Sequence, residues 1–108
     1  MNNSFIIGKL YCCINESDIL ALNERQYTNN LIPYIARLEK LNSINARHFS
    51  GNVDFVVLKQ DSILLLIDIH MKPLAGITYT IFKCLYEDKI IYIPFSKKKP
   101  EECLIPFS

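Results

Sequence analysis

Asp54, Asp68 and His70 are the residues whose types and spacing could do chemistry in this chain. They sit in two apolar runs, Val53-Asp54-Phe55-Val56-Val57 and Leu64-Leu65-Leu66-Ile67-Asp68-Ile69-His70. A strand repeats every two residues, so Asp68 and His70 fall on one face, with Leu64 and Leu66 behind them. Two carboxylates and an imidazole at the end of an apolar hairpin are costly to bury unpaired. They must lie at the sheet margin, pair with something, or bind an ion. Register decides which groups meet. With Gln60-Asp61-Ser62 as the hairpin loop, Asp54 lies opposite Asp68 and both face the same way. With a four-residue loop Asp54 faces the other side and the site dissolves.

The run from Asn52 to Val57, followed about ten residues later by Leu66-Ile67-Asp68-Ile69-His70, resembles the catalytic hairpin of the PD-(D/E)XK nuclease superfamily. It is most similar to the small Vsr-like members, where a V-D-F strand precedes an I-E-x-D strand. The resemblance implies Asp54 as the first metal carboxylate, Asp68 as the second, and His70 in the position of the usual Lys. Glu24 would match the acidic helix residue that some members add. It implies magnesium as cofactor and nucleic acid as substrate. A hard divalent cation takes carboxylate and phosphate oxygens and lowers the pKa of its bound water. Neutral His70 could accept a proton from that water. The chain departs from the pattern at His70, and in carrying none of the family's basic and acidic helix residues over Ile77 to Tyr86. The resemblance follows the order of elements from Asn23 to Phe95 and is specific over Val53 to His70.

The elements that must position these groups are a sheet and one helix. Phe5 to Ile14, Val53 to Leu58, Ser62 to His70 and Ile90 to Phe95 read as strands, rich in β-branched and aromatic residues. The tetrapeptide Lys59-Gln60-Asp61-Ser62 predicts a hairpin between the second and third of these. Ile77 to Tyr86 fits a strand by propensity and a helix by the spacing of Ile77, Ile81, Cys84 and Leu85. Asn23 with Gln26 is a capping box, and Glu24 sits in the first turn, where the helix dipole favours an anion. Tyr27, Leu31, Tyr34, Ile35, Leu38 and Leu41 form one apolar stripe, kinked or broken at Pro33. The expected fold is α+β: a four- to five-stranded, mostly antiparallel sheet with one helical layer, residues 23–41.

The 108 residues make one domain, 1–108, with half of them apolar and enough material for a small core. Twelve Lys and Arg against eleven Asp and Glu leave a formal charge of +1, so no global field draws nucleic acid or acidic lipid. The first residues carry no basic n-region, and even the stretch Ile63 to Ile69, interrupted by Asp68, is too short to cross a bilayer. A cytoplasmic setting with no membrane contact follows, in which Cys12, Cys13, Cys84 and Cys103 stay reduced. Adjacent Cys12 and Cys13 on a strand point to opposite faces and cannot clasp one ion. Buried apolar thiols are the expected use. Tyr79, Tyr86 and Tyr92 could stack bases if they share an exposed sheet face.

Two function classes stand side by side. One is a small nuclease-like protein or its inactive derivative, with Asp54, Asp68, His70 and Glu24 as the catalytic set and Asp54 and Asp68 on magnesium. The other is a non-catalytic binding protein with a protein partner, such as a toxin-immunity protein or a phage-encoded inhibitor. Near-neutral charge, small size and a tyrosine-rich sheet suit the second. A homo-oligomer using an exposed strand edge is a third reading.

Overall fold

Two tight turns organise the centre of the molecule. Ala75-Gly76 and Glu87-Asp88 each place two consecutive residues at positive φ, 50° and 80° in the first and 49° and 65° in the second. That geometry matches the twist of a two-residue hairpin. The computed structural model describes residues 5–14, 18–35, 55–96 and 99–107. Within them the two turns join a meander of three strands, β4 (Ile63–Leu74), β5 (Ile77–Tyr86) and β6 (Lys89–Phe95). Flanking it are β1 (Leu10–Cys13), β2 (Ile19–Asn23), β3 (Val56–Leu58) and β7 (Leu104–Pro106). The described strands form one antiparallel sheet in the order β3-β2-β6-β5-β4-β1-β7.

This corrects the expected α+β fold of four or five strands under a helical layer. Strand accounts for 56% of the described residues, and the sheet is a seven-stranded curled half-barrel. The helix predicted over 23–41 is replaced by α1 (Glu24–Thr28), a turn, and helical residues 32–35; positions 36–41 lie outside the described residues. Its start is as expected: the Asn23 side chain accepts from the Gln26 amide at 2.8 Å, and the Asn23 amide donates to Gln26 Oε1 at 2.9 Å. The break comes at Asn30, with φ of 60°, three residues before Pro33. It rotates the buried side. Ile32 becomes fully buried, while Tyr34, a member of the predicted stripe, is 52% exposed. Ile77 to Tyr86 is a strand, as its β-branched and aromatic content favours.

The predicted hairpin between 53–58 and 62–70 does not form. β3 pairs with β2, through Ile19–Leu58, Leu20–Val57 and Ala21–Val56, and β4 pairs with β5 and β1. Lys59–Ser62 does turn, with the Ser62 amide on the Lys59 carbonyl. Asp61, at φ 73°, then donates its amide to the Cys13 carbonyl and diverts the chain onto β1. β3 and β4 are four strand spacings apart in the sheet order, about 19 Å if it were flat. The connection from Leu58 to Ile63 spans at most about 17 Å. The sheet must therefore curl, and the curl makes an inside and an outside.

Inside the curl lies the larger core: Tyr11, Cys13, Ile19, Ala21, Leu58, Leu64, Leu66, Phe82, Cys84, Ile91, Ile93, Phe95, Cys103 and Leu104. Phe82 stands at its centre, edge-on to Phe5 and Phe95 at 5.0 and 5.1 Å. Burial pushes the Cys13 and Cys84 thiols up to about 12, with weaker contributions from neighbouring thiols. On the convex side α1 and residues 32–35 cover a second cluster, Leu22, Ile32, Ile35, Tyr79, Ile81 and Tyr92. Strand alternation assigns the two: on β6, Ile91, Ile93 and Phe95 point in, and Ile90 and Tyr92 point out.

Candidate functional site

One irregularity builds the site. Along the β4–β5 pairing Leu66 meets Cys84, but Asp68 meets Lys83, so β4 carries one extra residue, Ile67. A bulge of this kind switches every later side chain to the other face. Leu64 and Leu66 stay in the inner core, while Asp68, His70 and Lys72 turn to the convex face beside Ile81 and Tyr79. The alternation that put Asp68 and His70 on one face holds for those two. It fails for Leu64 and Leu66, which lie on the opposite side of the sheet.

On that face α1 lowers Tyr27 and Glu24 onto the strands. The Tyr27 hydroxyl lies 2.6 Å from His70 Nε2, and His70 Nδ1 faces Asp68 Oδ2 at 3.4 Å. With a proton on Nδ1 turned to the carboxylate, Nε2 accepts from the Tyr27 hydroxyl and both ring nitrogens are used. The Tyr27 ring stacks on Tyr92 with centroids 4.0 Å apart and planes 4° from parallel. The Tyr92 hydroxyl donates to Glu24 Oε2 at 2.5 Å. Lys72 Nζ sits 4.5 Å from the Tyr27 ring centre and Lys83 Nζ 5.8 Å from that of Tyr92, both within cation–π range.

The electrostatics follow from that packing. Burial raises the Tyr27 hydroxyl above its ordinary value. Tyr92 is pushed up to about 12, first by burial, then by its bond to the Glu24 carboxylate, that carboxylate's charge, and Tyr27. Both phenols therefore stay protonated at neutral pH and act as donors, and neither is primed as a nucleophile. Asp68 is half exposed, at 51% of its side chain, and His70 less so, at 35%.

Three of the four residues singled out from sequence thus share one surface: Glu24, Asp68 and His70, joined through two tyrosines. Asp54 lies outside the described residues, as do Arg47 and His48. Among the described residues no group of three or more His, Cys, Asp or Glu side chains is placed to hold a metal ion. Of the possible stacking tyrosines, Tyr79 and Tyr92 share the convex cluster, whereas Tyr86 packs against the inner core. Tyr27, Lys72 and Lys83 belong to the site though the sequence does not single them out for it; Tyr27 reads there only as part of the apolar helix stripe. Alternation along β5 puts Lys83 in phase with Tyr79 and Ile81, which was a legible signal. The Tyr27–Tyr92 stack bridges residues far apart in the chain and left none.

Cys12 and Cys13 do point to opposite faces, the first half-exposed and the second buried with Cys84 and Cys103. Among the described residues no helix is long and apolar enough to cross a membrane. Comparison with protein-family models, curated proteins and solved structures gives no match.

Proposed function

We propose that this protein is a non-catalytic binding protein, working in the cytoplasm, that engages a protein partner through the convex ridge of Tyr27, His70, Asp68, Lys72 and Lys83. The observation that carries the reading is the polar contact chain Asp68–His70–Tyr27, stacked through its tyrosine on the Tyr92–Glu24 pair. Both imidazole nitrogens face partners within the site, and the bond of Tyr92 to Glu24 ties up one oxygen of that carboxylate. Such a cluster holds its side chains in place before any partner arrives, which lowers the ordering cost of association. Its composition also suits an interface: tyrosine rings, an imidazole and lysines of opposite charge to the nearby carboxylates.

The nuclease-like reading uses the same residues differently. It needs Asp68 free to take magnesium and His70 free to take a proton from water, and half-exposed Asp68 is its support. The two readings part in a cleavage assay. The purified chain is incubated with single- and double-stranded DNA and with RNA in magnesium or manganese. The binding reading expects no hydrolysis above that of the Asp68→Ala variant. Metal-dependent hydrolysis that disappears in Asp68→Ala would establish the enzyme instead.

A further inference from the structure

Among the described residues, α1 and residues 32–35 cover only part of the convex face. No other described residue covers the rest, on β7, β1 and the first residues of β4, and its side chains can be placed from the register. Cys12 lies between Ile63 on β4 and Ile105 on β7. Leu10 lies beside Leu65, and the Phe107 amide donates to the Leu10 carbonyl, which puts Phe107 on its other side. Leu65 in turn meets Leu85 on β5. Tyr11, Cys13, Leu64 and Leu104, the alternate residues, fill the inner core. The outward set is therefore two apolar rows with no charge among them, continued by Ile14. Exposure is 42% at Leu10, 41% at Ile63, 44% at Ile105 and 48% at Phe107. The charged residues Asp68 and Lys83 begin only where this patch ends, at the margin of the site described above.

We propose that this exposed face is closed by a second copy of the chain, packed sheet against sheet about a two-fold axis near Cys12. The exposed apolar area is on the order of 500 Å², at the upper end of what a soluble monomer leaves uncovered. With a polar rim, two such faces approach the roughly 800 Å² per partner of a stable interface. An uncharged two-row β surface is complementary to itself, and sheets packed in this way interleave side chains at a spacing of about 10 Å. Two copies carry a net charge of only about +2 between them, so repulsion does not oppose their approach.

The ridge of the proposed function lies on the other half of the face, so the two proposals stand or fall separately. Sedimentation velocity of the whole chain across a range of micromolar concentrations tests this one. A reversible monomer–dimer equilibrium is expected, weakened at least tenfold by Ile63→Lys and by Ile105→Lys. Met71→Lys, at another exposed apolar position, should leave it unchanged. Far-ultraviolet circular dichroism checks that each variant folds. Cys12 gives a readout in the unaltered protein: it is the only one of the four thiols that is not buried, and its alkylation by a maleimide should slow as concentration rises. A chain that stays monomeric, a dimer indifferent to both lysine variants, or alkylation of Cys12 independent of concentration would each overturn the proposal.

Discussion

The Tyr27 hydroxyl joins a helix of five residues to the second half of β4. It does so with one hydrogen bond to His70, reinforced by the stack on Tyr92 and the lysine over the ring. Removing that hydroxyl leaves the packing intact and isolates the polar contribution. Tyr27→Phe should destabilise the fold by about 1 kcal/mol, measured as a shift in urea midpoint with unchanged slope. At this scale the sequence named Glu24, Asp68 and His70 and placed the last two on a common face. It could not name their partners. Tyr27 looked like one more member of an apolar helix stripe, because a phenol at a helix-face position reads the same whether its hydroxyl is bonded or buried edge-on.

Among the elements, local signals translated well and pairing signals did not. The Asn23–Gln26 capping box is a contact within four residues and forms as its spacing requires. Ile77–Tyr86 follows its strand propensity. By contrast, nothing within Val56–Leu58 says that its partner is Ile19–Ala21 and not the strand that follows it, because pairing is decided by burial across the whole sheet. β2 and β7 are short and were not anticipated. The bulge at Ile67 was invisible too, since an apolar residue continues an apolar run whichever face it takes. One turn runs against its own chemistry: Glu87 and Asp88 both hold positive φ, where Asn and Gly are at ease. Replacing them by Asn-Gly should stabilise the protein by about 1 kcal/mol without altering the β5–β6 register, read as a rise in midpoint temperature.

For the whole molecule, composition indicated a core of modest size but not its shape. The curl follows from a short connection between strands that are not neighbours, and such a constraint appears only once the strand order is known. Curling buries Cys13 and Cys84 with Phe82 inside and leaves the convex face, among the described residues, to be shared between α1 and an exposed apolar region. The inner thiols make the fold sensitive to alkali. Their unfolded values lie near 9.0 and their folded values near 12, and Tyr92 moves from 10.0 to about 12. Above pH 9 the unfolded chain releases protons that the folded chain retains, so it binds fewer protons and stability falls as pH rises. Well below pH 9 these groups stay protonated in both states and contribute no pH dependence. Urea midpoints should therefore fall steadily between about pH 9 and pH 12, and Cys84→Ala should flatten the early part of that fall.

The claim on which the functional reading rests is that Asp68 and His70 serve the tyrosine network and not a metal. Manganese broadens NMR signals near its binding site, so titrating it into the isotope-labelled chain tests that claim directly. The account predicts no saturable broadening of the His70 ring or of the Asp68, Tyr27 and Glu24 signals. Saturable broadening centred on Asp68 and His70, abolished in Asp68→Ala, would contradict it.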